Sequence, residues 1–586
     1  MIRTSRLSFF LLVVLFALSA SFLFAAARDQ PPPLPGWTHS PRFADDTPEQ
    51  HGIKLTGSAI FRASPVIAEV DGNSSNGKEV VIGGNDGRLY TYGSGGNLLW
   101  TVDVMPSPCT AVEGKLHSKP AVGPIYGGTK PYVVVGYGSI LATSNCNGGV
   151  AVYDGSNGSL VWRYSLADVS PNETLHGVLS SPSIADTDGD GTMEIGFGGF
   201  DRNIHLLNHD GSVRWYYHAA DTIWSSPAFM NIDNDAELEM IIGSDISKND
   251  KIEPPTEDGG YIYAFDTQPR NPPFIPFQTG YIWKTTLEQG IYSSPAVGDV
   301  LASNAGDEIV IGSSCFFPRG STSKVGKWVK VLRPSDGSVL QTLNAPACVQ
   351  SSPALGDIND DGTLEIVATV SGSTNIGGDG KSRIVAWNAT NPNPIWSTIP
   401  TDPNSGSNDA YGGDIQSPVI ADLDGNGTLE VAAANFWSVH VLRGSDGTPL
   451  TCQNPSCGSK TSLFAWSTLK SPPAIGDINN DGVLDLVIGG GHTYYNGGNS
   501  AMLYAWTDFD FGSETLLSSG TQEAYSAPWP QFRMNEQNSG NVGGVQSVET
   551  PTPTTPPTPT TPPVPTNTPT PLPSWYPKTY LPVVIQ

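Results

Sequence analysis

The chain has 586 residues and a formal net charge of −26, from 30 Lys and Arg against 56 Asp and Glu. Its basic residues are scarce and unclustered, which excludes the phosphate-contacting surface that nucleic-acid binding needs. Gly 65 and Pro 50 stand above ordinary usage and exclude long helices; many short strands joined by tight turns suit such a composition.

Residues 1–27 read as a secretory signal. Arg3 and Arg6 precede an apolar run from Leu7 to Phe24, and Ala25-Ala26-Ala27 offers a cleavage site, with Ala20 an earlier one. An uncleaved membrane anchor is the alternative, since the run approaches the length of a short span. Both readings place the rest of the chain outside the cytoplasm, secreted or attached to the cell surface. Residues 28–56, proline-rich and then polar, form a lead-in.

From 57 to 545 the chain repeats. A Ser-Pro or Lys-Pro step followed by apolar residues marks each unit: Ser64-Pro65, Lys119-Pro120, Ser181-Pro182, Ser226-Pro227, Ser294-Pro295, Ser352-Pro353, Ser417-Pro418 and Ser471-Pro472. Each unit continues with a second apolar strand, such as Glu79 to Gly84, and an apolar-aromatic third, such as Arg88 to Tyr92. An Asp-Gly or Asn-Gly turn leads to a fourth strand that often ends in tryptophan: Trp100, Trp162, Trp215, Trp283, Trp396. Four short strands with hairpin turns cannot bury both faces of a sheet alone. Eight such sheets packed radially can, so the pattern predicts an all-β, eight-bladed propeller of four-stranded antiparallel blades. Insertions fall mostly between second and third strands, as at Ser247–Gly259 and Gly491–Ser500. Insertions at one point of a repeat project from one face, often the binding face. The segment Ser526 to Arg533 is a candidate for ring closure through the first blade.

Between the first and second strands lies an acidic loop. Asp357, Asn359 and Asp361 occupy its first, third and fifth positions, Gly362 follows, and Glu365 closes it at the ninth. Oxygens on alternate residues and a glycine for the sharp turn are what Ca²⁺ asks of a short loop. The pattern recurs as Asp186, Asp188, Asp190 and Glu194; as Asp422, Asp424, Asn426 and Glu430; and as Asp477, Asn479, Asp481 and Asp485. Asn231, Asp233, Asp235 and Glu239 keep the oxygens, with Ala236 in place of glycine. Three units depart from it. The second has Gly123-Pro124-Ile125 instead. The fifth has apolar residues between Asp299 and Glu308. The first, Glu69-Val70-Asp71-Gly72-Asn73, carries extra residues before Glu79. Calcium is the expected ion, holding two strands of a blade together and neutralising clustered charge; plain acidic turns are the alternative.

Six cysteines in an exported chain point to disulfides, and sequence neighbours give Cys109–Cys146, Cys315–Cys348 and Cys452–Cys457. Residues 546–573 alternate proline and threonine and read as an extended spacer. The tail 574–586 is apolar, too short to span a bilayer, and reads as a retention or sorting tag or as a disordered end.

The acidic loops followed by Ile-Val or Ile-Gly-Gly resemble FG-GAP (VCBS-type) repeats, as in integrin α-chain propellers. That resemblance implies calcium at Asp186, Asp188, Asp190 and Glu194 and at their counterparts. The run Ala151-Val152-Tyr153-Asp154-Gly155 to Trp162 is similar to the tryptophan-docking repeat of quinoprotein (PQQ-type) propellers. Both imply the propeller and differ on function. The reading preferred here is a non-catalytic, monomeric, calcium-stabilised propeller at the cell surface or secreted, binding an unidentified protein or glycan. A carbohydrate-active enzyme of the polysaccharide-lyase type is one alternative, although no carboxylate pair stands out for it. A PQQ-dependent dehydrogenase is the other; it would call for adjacent cysteines, and no two of the six are adjacent.

Overall fold

The computed structural model describes Trp37, residues 52–57 and most of 60–542; the longest internal stretches left out are 140–146, 247–254, 319–325, 401–415, 451–462 and 512–525. The expected signal, spacer, tail and Cys452–Cys457 pair, and Cys146, lie outside the described residues. The chain divides into a unit Met1–Val548 and a unit Glu549–Gln586; all that follows concerns the first.

Eight sheets are present, each built on four antiparallel strands, in chain order in all but the eighth. Blade 3, for example, runs Ser183–Ala185, Glu194–Gly198, Asn203–Leu207 and Val213–His218. The short first strands touch one another in a closed cycle, from Val66–Ala68 of blade 1 round to Ala474–Gly476 of blade 8 and back. That cycle makes the eight-bladed propeller. Second and third strands are buried along nearly their whole length, as in Glu79–Gly83 and Gly149–Asp154, because each blade is covered by a neighbour on both sides. Fourth strands such as Leu98–Asp103 alternate in exposure and form the rim.

Tryptophans join the blades. The indole Nε1 of Trp100 donates to Gly155 O at 2.7 Å, that of Trp162 to His209 O at 3.0 Å, that of Trp283 to Pro334 O at 2.6 Å and that of Trp396 to Gly444 O at 2.7 Å. Each acceptor lies in the turn of the next blade. The turn glycine lies flat on the ring: a Cβ on Gly158 would come within 2.7 Å of Trp100. Trp215 does otherwise, packing at a tilt against Phe265 with centroids 5.2 Å apart, because blade 4 replaces its short turn with the long connection 266–282. That connection lays Phe274–Ile275 along the outer edge of blade 3, parallel to Val213–His218.

Ring closure differs from expectation. Ile53–Lys54, inside the expected lead-in, pairs antiparallel with Met502–Trp506 and forms the outer strand of blade 8. Residues 526–542 do not join the first blade as a strand. They wind through the central channel and meet the inner strands in turn. Trp529 exchanges hydrogen bonds with Ile420 of blade 7, and Pro530 O accepts from Ile475 N of blade 8. The Gln531 amide brackets Ile67 of blade 1, Glu536 O accepts from Val122 N of blade 2, and Gln537 O from Ile184 N of blade 3. Gly540 O accepts from Val297 N of blade 5 at 2.8 Å. The Arg533 guanidinium, fully buried, donates to Pro227 O of blade 4 and Pro295 O of blade 5. Sequence periodicity carries no trace of this plug, since it belongs to no repeat.

The Ser-Pro steps gain a reason. From Lys119 to Ser352, the backbone N–H of each marker residue donates to the Oγ of the next blade's serine, at 2.8 to 2.9 Å. The belt opens at blade 2, where Lys119 has no Oγ and sends its ammonium to Asn535 O of the plug. It opens again at blade 8, where Pro472 rather than Ser471 stands in the belt and its carbonyl accepts from Ser64 Oγ.

Candidate metal centres and a cavity at the channel mouth

The acidic loops all lie at the far end of the inner strands from the serine belt. In chain order each inner strand runs from belt to loop, so the five residues from Ser181 to Asp186 separate the two by ~16 Å at ~3.3 Å per residue.

The loops share one local design. The ninth-position carboxylate is buried at the start of the second strand and accepts the N–H of the loop's second residue: Glu194 from Thr187, Glu239 from Ile232, Glu365 from Ile358, Glu430 from Leu423 and Asp485 from Ile478. Blades 1 and 5, which depart from the motif, do the same with Glu79 and Glu308. The fifth residue turns inward: Asp190 and Asp361 each accept both N–H and Oγ1–H of the threonine two places on, as does Asn426. Gly191, Gly362, Gly427 and Gly482 at the sixth position have φ between 83° and 89°, which favours glycine. The fourth position is also left-handed, and there Gly189, Asp360, Gly425 and Asn480 serve. Sequence reading passed over that position, although its run of Gly, Asp and Asn is the signal for it.

Carboxylate oxygens converge to within 4.8 Å of one another in four loops: Glu69, Asp71 and Glu79; Asp186, Asp188 and Glu194; Asp233, Asp235 and Glu239; Asp422, Asp424 and Glu430. Two of the expected sets are there, together with the alanine-bearing loop and blade 1. The sets Asp357, Asn359, Asp361, Glu365 and Asp477, Asn479, Asp481, Asp485 are not among these carboxylate triplets; each has an amide at the third position, where blades 3 and 7 have Asp188 and Asp424. In blade 6 the Asn388 amide donates to Glu365 at 3.2 Å.

Charge is balanced differently in each. In blade 3 the buried Arg214 guanidinium lies against Glu194 at 2.5 Å and against Asp188. A built-in cation therefore occupies the expected calcium ligands. Blade 7 has none. Burial, then the Asp424 charge, push Glu430 up to about 9. Burial likewise raises Glu239 to about 7 and Glu79 to about 7. In blade 1, Glu79 Oε1 and Glu69 Oε2 are buried and accept no hydrogen bond among the described residues. Buried anionic oxygens with no donor are costly, and a divalent ion is the group that answers several at once. These donor sets, all hard oxygens, fit Ca²⁺.

At the belt end the channel opens into a cavity of about 260 Å³, floored by Phe532 of the plug and ringed by belt serines. Much of its wall comes from the residue two places before a belt position, as at Arg62, His117, Leu179, Trp224, Tyr292 and Gln350. Arg62 lies over the Trp224 ring at 5.3 Å, and Trp224 packs on Tyr292 with centroids 4.6 Å apart. Arg62 has φ 70°, an uncommon backbone state for a non-glycine residue. The connections between second and third strands rise on this same face. The Cys315–Cys348 disulfide ties one of them to the link between blades 5 and 6.

Comparison with known proteins agrees with the repeat. Residues 422–488, from the acidic loop of blade 7 into blade 8, match the FG-GAP-like repeat. No curated protein matches. Among solved structures, the chain is similar to the quinohemoprotein alcohol dehydrogenase from Comamonas testosteroni (12% identity, 86% of this chain and 84% of that one, TM-score 0.48). It is similar to the exotype rhamnogalacturonan lyase YesX (13%, 84% and 80%, TM-score 0.48) and to BamB from Moraxella catarrhalis (14%, 78% and 100%, TM-score 0.43).

Proposed function

We propose that the protein is an exported, non-catalytic propeller that binds calcium in its acidic loops and a protein or glycan at the channel mouth. The observation that carries this reading is the separation of the two chemistries. Carboxylates gather at one end of the inner strands, and the cavity opens at the other. An ion ~16 Å away along a strand touches no ligand in the cavity, so its part is structural. None of the described residues lining the cavity is Asp or Glu, whereas glycoside hydrolysis by the usual route needs two carboxylates flanking the bond. Arg62, Trp224 and Tyr292 instead offer a cationic donor beside aromatic faces, the side chains that dominate binding surfaces. Export rests on the N-terminal apolar run, an even cysteine count and the need for calcium at concentrations found outside cells.

The test is binding without turnover. Immobilised protein is presented with an array of extracellular glycans and matrix proteins, and each hit is followed for cleavage. Binding that drops about tenfold in Trp224→Ala, with the ligand recovered intact, supports the reading. Release of a cleaved product, or binding indifferent to both Trp224→Ala and Arg62→Ala, overturns it.

A further inference from the structure

Blade 3 holds a second cavity, of about 220 Å³, on the side of the propeller, away from the channel. Here a fifth strand covers the blade's outer edge: Phe274–Ile275, anchored by Tyr216 N donating to Pro273 O at 2.9 Å. Beneath the cavity lies a buried polar network. Asp201 is fully buried. It accepts from Ser170 Oγ at 2.8 Å, from Asn203 Nδ2 at 2.7 Å and from His205 Nε2 at 3.2 Å. These donors and the His205 charge hold its carboxyl below the usual range against the effect of burial.

The network fixes the chemistry of one more residue. A carboxylate accepts only, so the Asn203 atom facing Asp201 is its NH₂, and that nitrogen also reaches Ser170 Oγ at 2.6 Å. Asn203 Oδ1 is thereby turned to His218 Nδ1, 3.0 Å away. A carbonyl oxygen cannot donate, so Nδ1 of His218 carries the proton. Burial holds His218 below its ordinary pKa. The neutral ring therefore keeps a lone pair on Nε2, its opposite edge, in a residue that lines the cavity. Glu173, ion-paired with Arg202, adds a second acceptor. Tyr216 and Phe274, with centroids 5.4 Å apart, supply an apolar wall.

We propose that this lateral cavity binds one ring of a neutral saccharide, with His218 Nε2 and Glu173 accepting its hydroxyls and Tyr216 and Phe274 covering its C–H face. Two lone-pair acceptors disfavour an anion. Hydroxyl donors beside an aromatic wall describe a pyranose. The volume, below the ~300–1,000 Å³ of drug-sized pockets, admits one ring and not a buried chain segment. The site does not depend on the reading of the channel mouth.

The test uses the whole protein labelled with ¹⁵N-histidine, with His218 assigned by loss of its signals in His218→Gln. The probes are methyl glycosides of glucose, galactose and mannose, with glucuronic acid as the anionic control. The expected result is an Nδ1–H tautomer for His218, whose Nε2 resonance moves with at least one neutral glycoside and not with the acid. Affinity should fall about tenfold in Phe274→Ala, an exposed position that leaves the fold intact, and stay unchanged in Trp224→Ala. An Nε2–H tautomer overturns the proposal. So does the absence of a response to every neutral glycoside at about 10 mM, or a response that Phe274→Ala leaves as it was.

Discussion

The acidic loops of blades 3 and 7 are nearly the same in sequence and differ in what surrounds the closing glutamate. Asp186-Thr187-Asp188-Gly189-Asp190-Gly191 and Asp422-Leu423-Asp424-Gly425-Asn426-Gly427 share ring size, glycines and closing glutamate. Both bring three carboxylates together. In blade 3 the Arg214 guanidinium lies against Glu194 and Asp188; in blade 7 burial and the Asp424 charge push Glu430 up to about 9. A motif read along one loop thus reports the anionic half of a site and is silent on who supplies the cation. Under the calcium reading proposed above, Arg214 takes up part of the ion's role in blade 3.

The sharpest way to break this comparison is Arg214→Ala. Removing one partner of a buried pair leaves Glu194 buried and uncompensated, at a cost of ~3–5 kcal/mol. If Arg214 stands in for an ion, millimolar calcium restores part of that loss, and the variant binds one more calcium than the parent by equilibrium titration. A variant destabilised alike with and without calcium would end the analogy.

Chelation comes next. Each site held at about 100 times its Kd contributes ~2.7 kcal/mol, so EDTA should lower the melting temperature by several degrees. Asp424→Ala should shrink the EDTA effect, and Asp188→Ala should not.

The third effect is on pH. With calcium removed, Glu430 is raised from its ordinary 4.5 to about 9. The folded state then holds the proton more tightly than the unfolded one. The stability from this group is fully present below pH 4.5 and is lost as pH climbs through about 9. Chelated protein should therefore melt lower with each step from pH 5 to 9, and saturating calcium should flatten the slope. A slope unchanged by calcium would detach Glu430 from the ion.

The smallest change belongs to the blade junctions. Trp396→Phe keeps the packing and drops the hydrogen bond to Gly444 O, a loss of about 1 kcal/mol, identical with and without calcium.

How much of this was legible beforehand depends on range. The alternation of apolar and turn residues gave eight blades, because strand period and hairpin chemistry are local. The first, third, fifth and ninth loop positions were legible for the same reason, and so was the docking of Trp100 and Trp162. Arg214 was not. It reaches Asp188 from the outer strand of the blade, and nothing in the loop encodes that register. The Ser471-Pro472 step misled by one residue, because a second proline, Pro473, takes the place the marker proline holds elsewhere. Glu79 and Glu308 were discounted since the residues before them break the loop pattern. Yet burial at the start of the second strand keeps a carboxylate there whatever the loop does. Ile53–Lys54 is too short for any periodicity.

The channel plug has a bearing on how the molecule is made. Its partners lie hundreds of positions away, with Gln531 and Ile67 separated by 464 residues and Lys119 and Asn535 by 416. Contacts of such separation come at the end of a folding reaction, after the loops they close have been confined. Blades made early must wait as an unsealed arc until residues 526–542 emerge and thread the hub. Interruption of synthesis anywhere upstream should leave a species whose inner strands still have donors to offer, and hence one prone to associate with its own kind.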